Sequence, residues 1–139
     1  MRGAKYIALL SGTQKGEAME QVCIIFPILP GKIEAARGFM QALESDRRAD
    51  HANSNQRVGM NREVWFLSSG PSGDQLIGYA EMANFEQVIS EVASSQDEFD
   101  IWYKRRLAEV TGIDMNDPSP DLEPLELLSS FVAGNSIGR

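Results

Sequence analysis

The strand-like segments of this chain have no polar side, and that limits the folds open to it. The stretch "QVCIIFPIL" (21–29) is rich in β-branched and aromatic residues and apolar at nearly every position. In "REVWFLSS" (62–69), Val64 and Phe66 lie on one side, Trp65 and Leu67 on the other. In "DQLIGYAEM" (74–82), Leu76 and Met82 oppose Ile77 and Tyr79. In "LELLSSFVA" (125–133), Leu125, Leu127 and Phe131 stand against Leu128 and Val132. A sheet covered by helices on one side alternates apolar with polar residues. A sheet built from these segments needs cover on both sides.

Between these segments lie helical patterns. Ile33, Ala36, Met40 and Leu43 mark one face of a helix over 32–45, entered through Pro30-Gly31. Residues 46–61, "DRRADHANSNQRVGMN", have no apolar period and read as a long polar connection that can begin as extra helix. "GPSG" turns 62–69 into 74–82, an antiparallel hairpin. Asn84 with Gln87 is a capping box, followed by the stripe Phe85, Val88, Ile89, Val92 and Ala93. Ser95 with Glu98 starts a further helix to about Val110, with Gly112 as its C-terminal cap. An acidic, proline-rich connector (114–124) leads to the last strand. The order β-α-β-β-α-(α)-β is the ferredoxin-like, α+β arrangement with a four-stranded antiparallel sheet. Residues 1–18 read as a flexible N-terminal tail, 19–133 as the domain and 134–139 as a frayed end.

Within 139 residues, 42% hydrophobic and 24% charged, there is room for one domain with a real core. The net charge of −7 argues against a nucleic-acid binder and against an anionic membrane surface. "VCIIFPILP" is too short to span a bilayer, and the start shows no signal-peptide core, so the expected setting is cytoplasmic. Cys23, the sole cysteine, cannot form an intrachain disulfide, and one histidine cannot build a two-histidine metal site. Asp114, Asn116 and Asp117 lack the glycine and glutamate spacing of a calcium loop. There is no P-loop, dinucleotide fingerprint or nucleophile elbow, and neither a metal nor a cofactor is expected.

About eight large apolar side chains on the second sheet face would contribute roughly 10–20 kcal/mol on burial. Association costs about 4–15 kcal/mol. A homodimer through that face is therefore the expectation. The "PILPGK" turn, the "REVWFL…GDQLIGYAEM" hairpin, the element order and the two-faced sheet resemble the dimeric α/β-barrel superfamily, in particular an uncharacterised bacterial branch near the stress-responsive barrel proteins and the antibiotic-biosynthesis-type monooxygenases. The likeness covers about residues 19–133 and lies in pattern and topology. It implies a ferredoxin-like protomer, a barrel made by two of them, and a ligand between sheet and helices. Pro27 departs from it: the first strand is central in that fold, so a bulge or an end to pairing by residue 26 is expected there.

Candidate site residues fall in three places. A hairpin register pairing Trp65 with Gly78 and Glu63 with Ala80 avoids setting Glu63 against Glu81. It leaves space beside Trp65, either filled by a helix or a cavity. Trp65 and Tyr79 are the candidate ligand contacts there. Glu63 and Glu81 are either strand-end surface carboxylates or bases with a raised pKa. His51, in the polar connection, is either a solvated loop residue or the acid–base of a lid. Phe99, Trp102 and Tyr103 share one stripe of the 96–110 helix. They either pack it onto the domain, or Trp102 and Tyr103 line a pocket mouth, or they form a partner surface. The expected function is small-molecule binding, with an apolar or aromatic ligand, in a homodimer. The alternatives are a cofactor-independent monooxygenase- or isomerase-type enzyme and a purely structural dimer.

Overall fold

The computed structural model describes residues 5–14 and 16–133. Strands β1 (Tyr6–Gln14) and β2 (Glu17–Pro27) form a hairpin. Helices α1 (Ile33–Glu44) and α2 (Arg48–Val58) follow, then a second hairpin, β3 (Met60–Gly70) and β4 (Gly73–Met82). Helices α3 (Phe85–Ser94) and α4 (Glu98–Thr111) precede a two-residue β5 (Glu123–Pro124). The sheet order is β3-β4-β2-β1-β5, antiparallel except for β1 with β5.

The architecture is α+β, but the sheet is five-stranded and mixed, not four-stranded and antiparallel. Two segments account for the difference. Residues 6–14, expected within a tail, pair with β2 from Tyr6↔Ile25 to Gln14↔Glu17. Residues 125–133, expected as the last strand, form none. Only Glu123 and Pro124 pair, with Tyr6 and Ile7. The reason is loop closure: a hairpin joins adjacent segments at low entropic cost, whereas 125–133 would have to return from the far end of the chain. β1 therefore holds the edge of β2 that the C-terminal strand would have used.

The second hairpin takes the expected register, with Trp65 opposite Gly78 and Glu63 opposite Ala80. A bulge between Met60 and Arg62 sets Arg62, not Glu63, against Glu81. Pro27 is the last residue of β2, and among the described residues the pairing with β1 runs as far as Ile25. Ile28 N–H donates to Asp74 C=O at 2.9 Å, so ladder alternation turns the N of Pro27 away from β4. Its missing donor is not needed there.

All four helices pack on one sheet face. Ala36, Phe39 and Leu43 of α1 and Phe99, Leu107 and Val110 of α4 bury Phe26 and Leu76. Val58 of α2 and Val88 of α3 bury Val22 and Met82. The polar segment 46–61 yields α2, closed by Gly59 in the left-handed region at φ 91°. Asn84 Oδ1 accepts from Gln87 N–H at 2.9 Å to cap α3, and Asp97, not Ser95, caps α4 through Phe99 N–H at 3.0 Å. The opposite sheet face carries Cys23, Ile25, Val64, Phe66, Ile77 and Tyr79. None of them joins either core cluster, and Phe66 is 59% exposed.

Gly78 matters because the Trp65 ring lies over it. A Cβ there would sit 2.7 Å from Trp65 Cζ3. Gly78→Ala should cost about 1–3 kcal/mol through overpacking, read as a lower urea midpoint. An unchanged midpoint would show that the ring can move aside freely.

Candidate functional site

Helix α2 sets His51 and Asn55 one turn apart on the same face. On β3, Glu63 and Trp65 are two residues apart and so point to the same side, toward the helices. Tyr103 comes from α4. These five side chains meet around the Glu63 carboxylate. His51 Nε2 lies 2.7 Å from Oε1, and Asn55 Nδ2 donates to the same oxygen at 3.0 Å. Trp65 Nε1 donates to Oε2 at 2.7 Å, and the Tyr103 hydroxyl donates to it as well. The Glu63 side chain is only 7% exposed.

A carboxylate has about four lone-pair sites, and here four donors take them. Burial alone pushes the Glu63 pKa up. The hydrogen bond and charge of His51, then the hydrogen bonds from Tyr103 and Trp65, outweigh it and leave the pKa below its ordinary value. Burial drives Tyr103 the other way, well above an ordinary phenol, and the Glu63 charge and hydrogen bond add to the rise. Glu63 is thus a fixed anion and Tyr103 a fixed donor. With its lone pairs taken, Glu63 is a poor base.

An ionised carboxylate only accepts, so His51 carries a proton on Nε2. In the neutral ring Nδ1 then keeps its lone pair, and no hydrogen bond occupies it among the described residues. Aromatic neighbours hold the ring: Phe99 and Tyr103 each lie 5.8 Å away, centroid to centroid, at 35° and 26°.

A cavity of about 90 Å³ lies between the sheet and the helices. Its walls are apolar, with Val22, Ile24 and Met82 from the sheet and Val88, Ile89 and Val92 from α3. His51, Asn55, Glu63, Trp65 and Tyr103 line it too and give it one polar region. Asp100, also in the lining, is held by Ser54, by Ser95 at 2.5 Å and by Arg57 Nη2 at 2.6 Å. Burial raises its pKa, but the two serines and Arg57 reverse the shift and hold it low. This second buried anion latches α2 to α4. Buried Lys104 donates to the carbonyls of Ala93 and Ser95, both at 3.2 Å, and ties α4 to the end of α3.

Of the residues singled out in the sequence, His51, Glu63, Trp65 and Tyr103 come together. Glu81 and the Tyr79 side chain are on the open face, where the Tyr79 hydroxyl donates to Glu81 at 2.7 Å and accepts from Gln21 at 2.9 Å. Tyr79 borders the cavity only from the strand beneath it. Trp102 packs on Phe39 at 5.6 Å and carries the Arg47 guanidinium at 4.7 Å, away from the cavity. Asn55, Ser54 and Asp100 were not anticipated, although His51 and Asn55 at i, i+4 were a signal once 46–61 is taken as helix. No group of three or more His, Cys, Asp or Glu among the described residues could hold a metal ion.

No family model matches this chain, and no curated protein or solved structure matches it at a significant level.

Because Glu63 titrates lower in the native protein than its ordinary 4.5, its ionised form stabilises the fold. That contribution is complete above pH 4.5 and is lost as pH falls through the lower native value. Glu63→Gln should cost about 3–5 kcal/mol at neutral pH, since four donors then face an amide. It should also flatten the acid side of the stability–pH curve. Denaturant titrations between pH 3 and 7 check both; a wild-type acid slope in the variant contradicts this account.

Proposed function

We propose that the protein binds a small apolar or aromatic molecule in the cavity between sheet and helices, and that it does so as a homodimer. The observation that carries this reading is an apolar space in the core with one polar region, where the Glu63 carboxylate meets four donors and no described residue hydrogen-bonds Nδ1 of His51. Such sites are mostly apolar with a few convergent polar groups. In the neutral ring that atom, Nδ1, is an acceptor, so the ligand brings an N–H or O–H donor. Among the described residues neither Lys nor Arg lines the cavity, while two carboxylates do, which disfavours an anionic ligand.

The dimer is supported by the open sheet face, whose apolar residues have no cover from the helices. The run β2-α1-β3-β4-α3, with the neighbours β3-β4-β2, keeps the strand adjacency of a ferredoxin-like protomer, and we read the pair as an α/β barrel. No helix among the described residues is long and apolar enough to cross a membrane. With one unpaired cysteine, a cytoplasmic setting fits.

A second reading is favoured by the 2.7 Å contact between His51 and Glu63 beside the cavity. In this reading the protein is a cofactor-independent enzyme. His51 Nδ1 removes a proton from an acidic C–H, and Glu63 orients the ring and stabilises the imidazolium that forms.

Calorimetry with p-cresol, indole and the anion p-toluate tests the binding reading. The two neutral donors should bind and p-toluate should not. His51→Ala should weaken p-cresol by about 5–30-fold, the worth of one hydrogen bond of ~1–2 kcal/mol. Equal affinity for p-toluate, or an affinity for p-cresol unchanged in His51→Ala, contradicts the proposal.

A further inference from the structure

Among the described residues the sheet has a free edge at β3, and the segment after β5 is apolar and exposed. Here β3 pairs only with β4, and no other described strand lies against the outer main-chain groups of this 11-residue strand. Beyond β5, residues 125–133 form no helix or strand, and Leu127, Leu128, Phe131 and Val132 are 62–87% exposed. Long apolar edges and exposed apolar segments are both liabilities in a solitary chain.

From these features we infer that residues 125–133 of each chain dock along the β3 edge of a second copy, with Leu128 and Val132 on the side of its Phe66 and Val64 and Leu127 and Phe131 on the side of its Trp65 and Leu67. This is β-strand addition, in which main-chain hydrogen bonds supply affinity and side chains supply register. It rests on the proposed association of two copies through their open sheet faces, and it says what the C-terminal segment does in that dimer.

The arm has no equivalent place on its own chain. The edge of β2 is held by β1 along its length. The arm leaves at β5, the edge of the sheet opposite to β3. It does not lie over its own open face, because its side chains stay exposed. A second copy supplies the missing surface. If the two-fold axis runs along the strands, β3 of one copy stacks over β5 of the other, about 10 Å away. Residues 125–133 in extended form reach about 30 Å at ~3.3 Å per residue, enough to bridge that gap and follow most of β3. The arm and the open face together approach the roughly 20–30 residues a side of a stable interface. The arm's pattern fits as well: Leu128 and Val132 alternate with Leu127 and Phe131, so an added strand presents apolar groups to both faces, as β3 does with Val64, Phe66, Trp65 and Leu67.

Sedimentation velocity on the full chain tests this. Wild type should be a dimer at micromolar concentration. The variant Leu128→Ser/Phe131→Ser/Val132→Ser should raise the dimer Kd by about 100-fold or more. Its far-UV circular dichroism should not change, because the substituted side chains are exposed in the protomer. Phe66→Glu should weaken the dimer comparably. A triple variant with the wild-type Kd overturns the arm while leaving the sheet-face dimer standing. A dimer weakened by the triple variant but not by Phe66→Glu overturns the β3 placement. A monomeric wild type overturns both the arm and the dimer beneath it.

Discussion

An ionised carboxylate inside an apolar core costs several kcal/mol unless every lone pair is met, and Glu63 sets that condition here. Its four donors come from three elements: His51 and Asn55 from α2, Trp65 from β3 and Tyr103 from α4. Helix α2 has no apolar stripe to hold it in place. Apart from Val58, its buried anchor is Ser54, and it is fastened through Glu63 on one side and Asp100 on the other. The same carboxylate holds the Trp65 indole over Gly78 and determines which nitrogen of His51 faces outward. Stability and the chemical character of the cavity thus depend on one charge.

The folding pattern of the sheet was legible wherever a segment carried its own signal. Residues 62–82 announce a hairpin through the Gly-Pro-Ser-Gly turn, and the like-charge clash between Glu63 and Glu81 is enough to choose its register. Capping residues gave the starts of α3 and α4 to within a residue or two. Helix α2 was hidden, because apolar periodicity cannot report a helix held by buried polar contacts. β1 was hidden too: "YIALLSGTQ" borrows its partner from β2 next door, and nothing in 125–133, which is equally strand-like, says that the nearer segment wins the edge.

The site divides in the same way. Glu63 and Trp65 follow from alternation along β3, so their shared direction was readable. The encounter with His51 and Tyr103 depends on where α2 and α4 cross the sheet, which local sequence does not encode. Tyr79 and Glu81 differ from Trp65 only in pleat parity, and that parity sends them to the open face, where they bond to each other. Two-sided apolarity proved the most durable feature of the sequence: one face is buried under four helices, and the other offers Val64, Phe66 and Ile77 to whatever lies against it.

Because His51 is the only histidine in the chain, its ring can be observed without ambiguity of assignment. Long-range ¹H–¹⁵N correlation spectra of labelled protein at a pH where the ring is neutral report which nitrogen carries the proton. Bonding to an ionised Glu63 predicts a protonated Nε2 and a bare Nδ1. A spectrum with the proton on Nδ1 would mean that the carboxylate does not govern the ring, and the account of the cavity would fail with it.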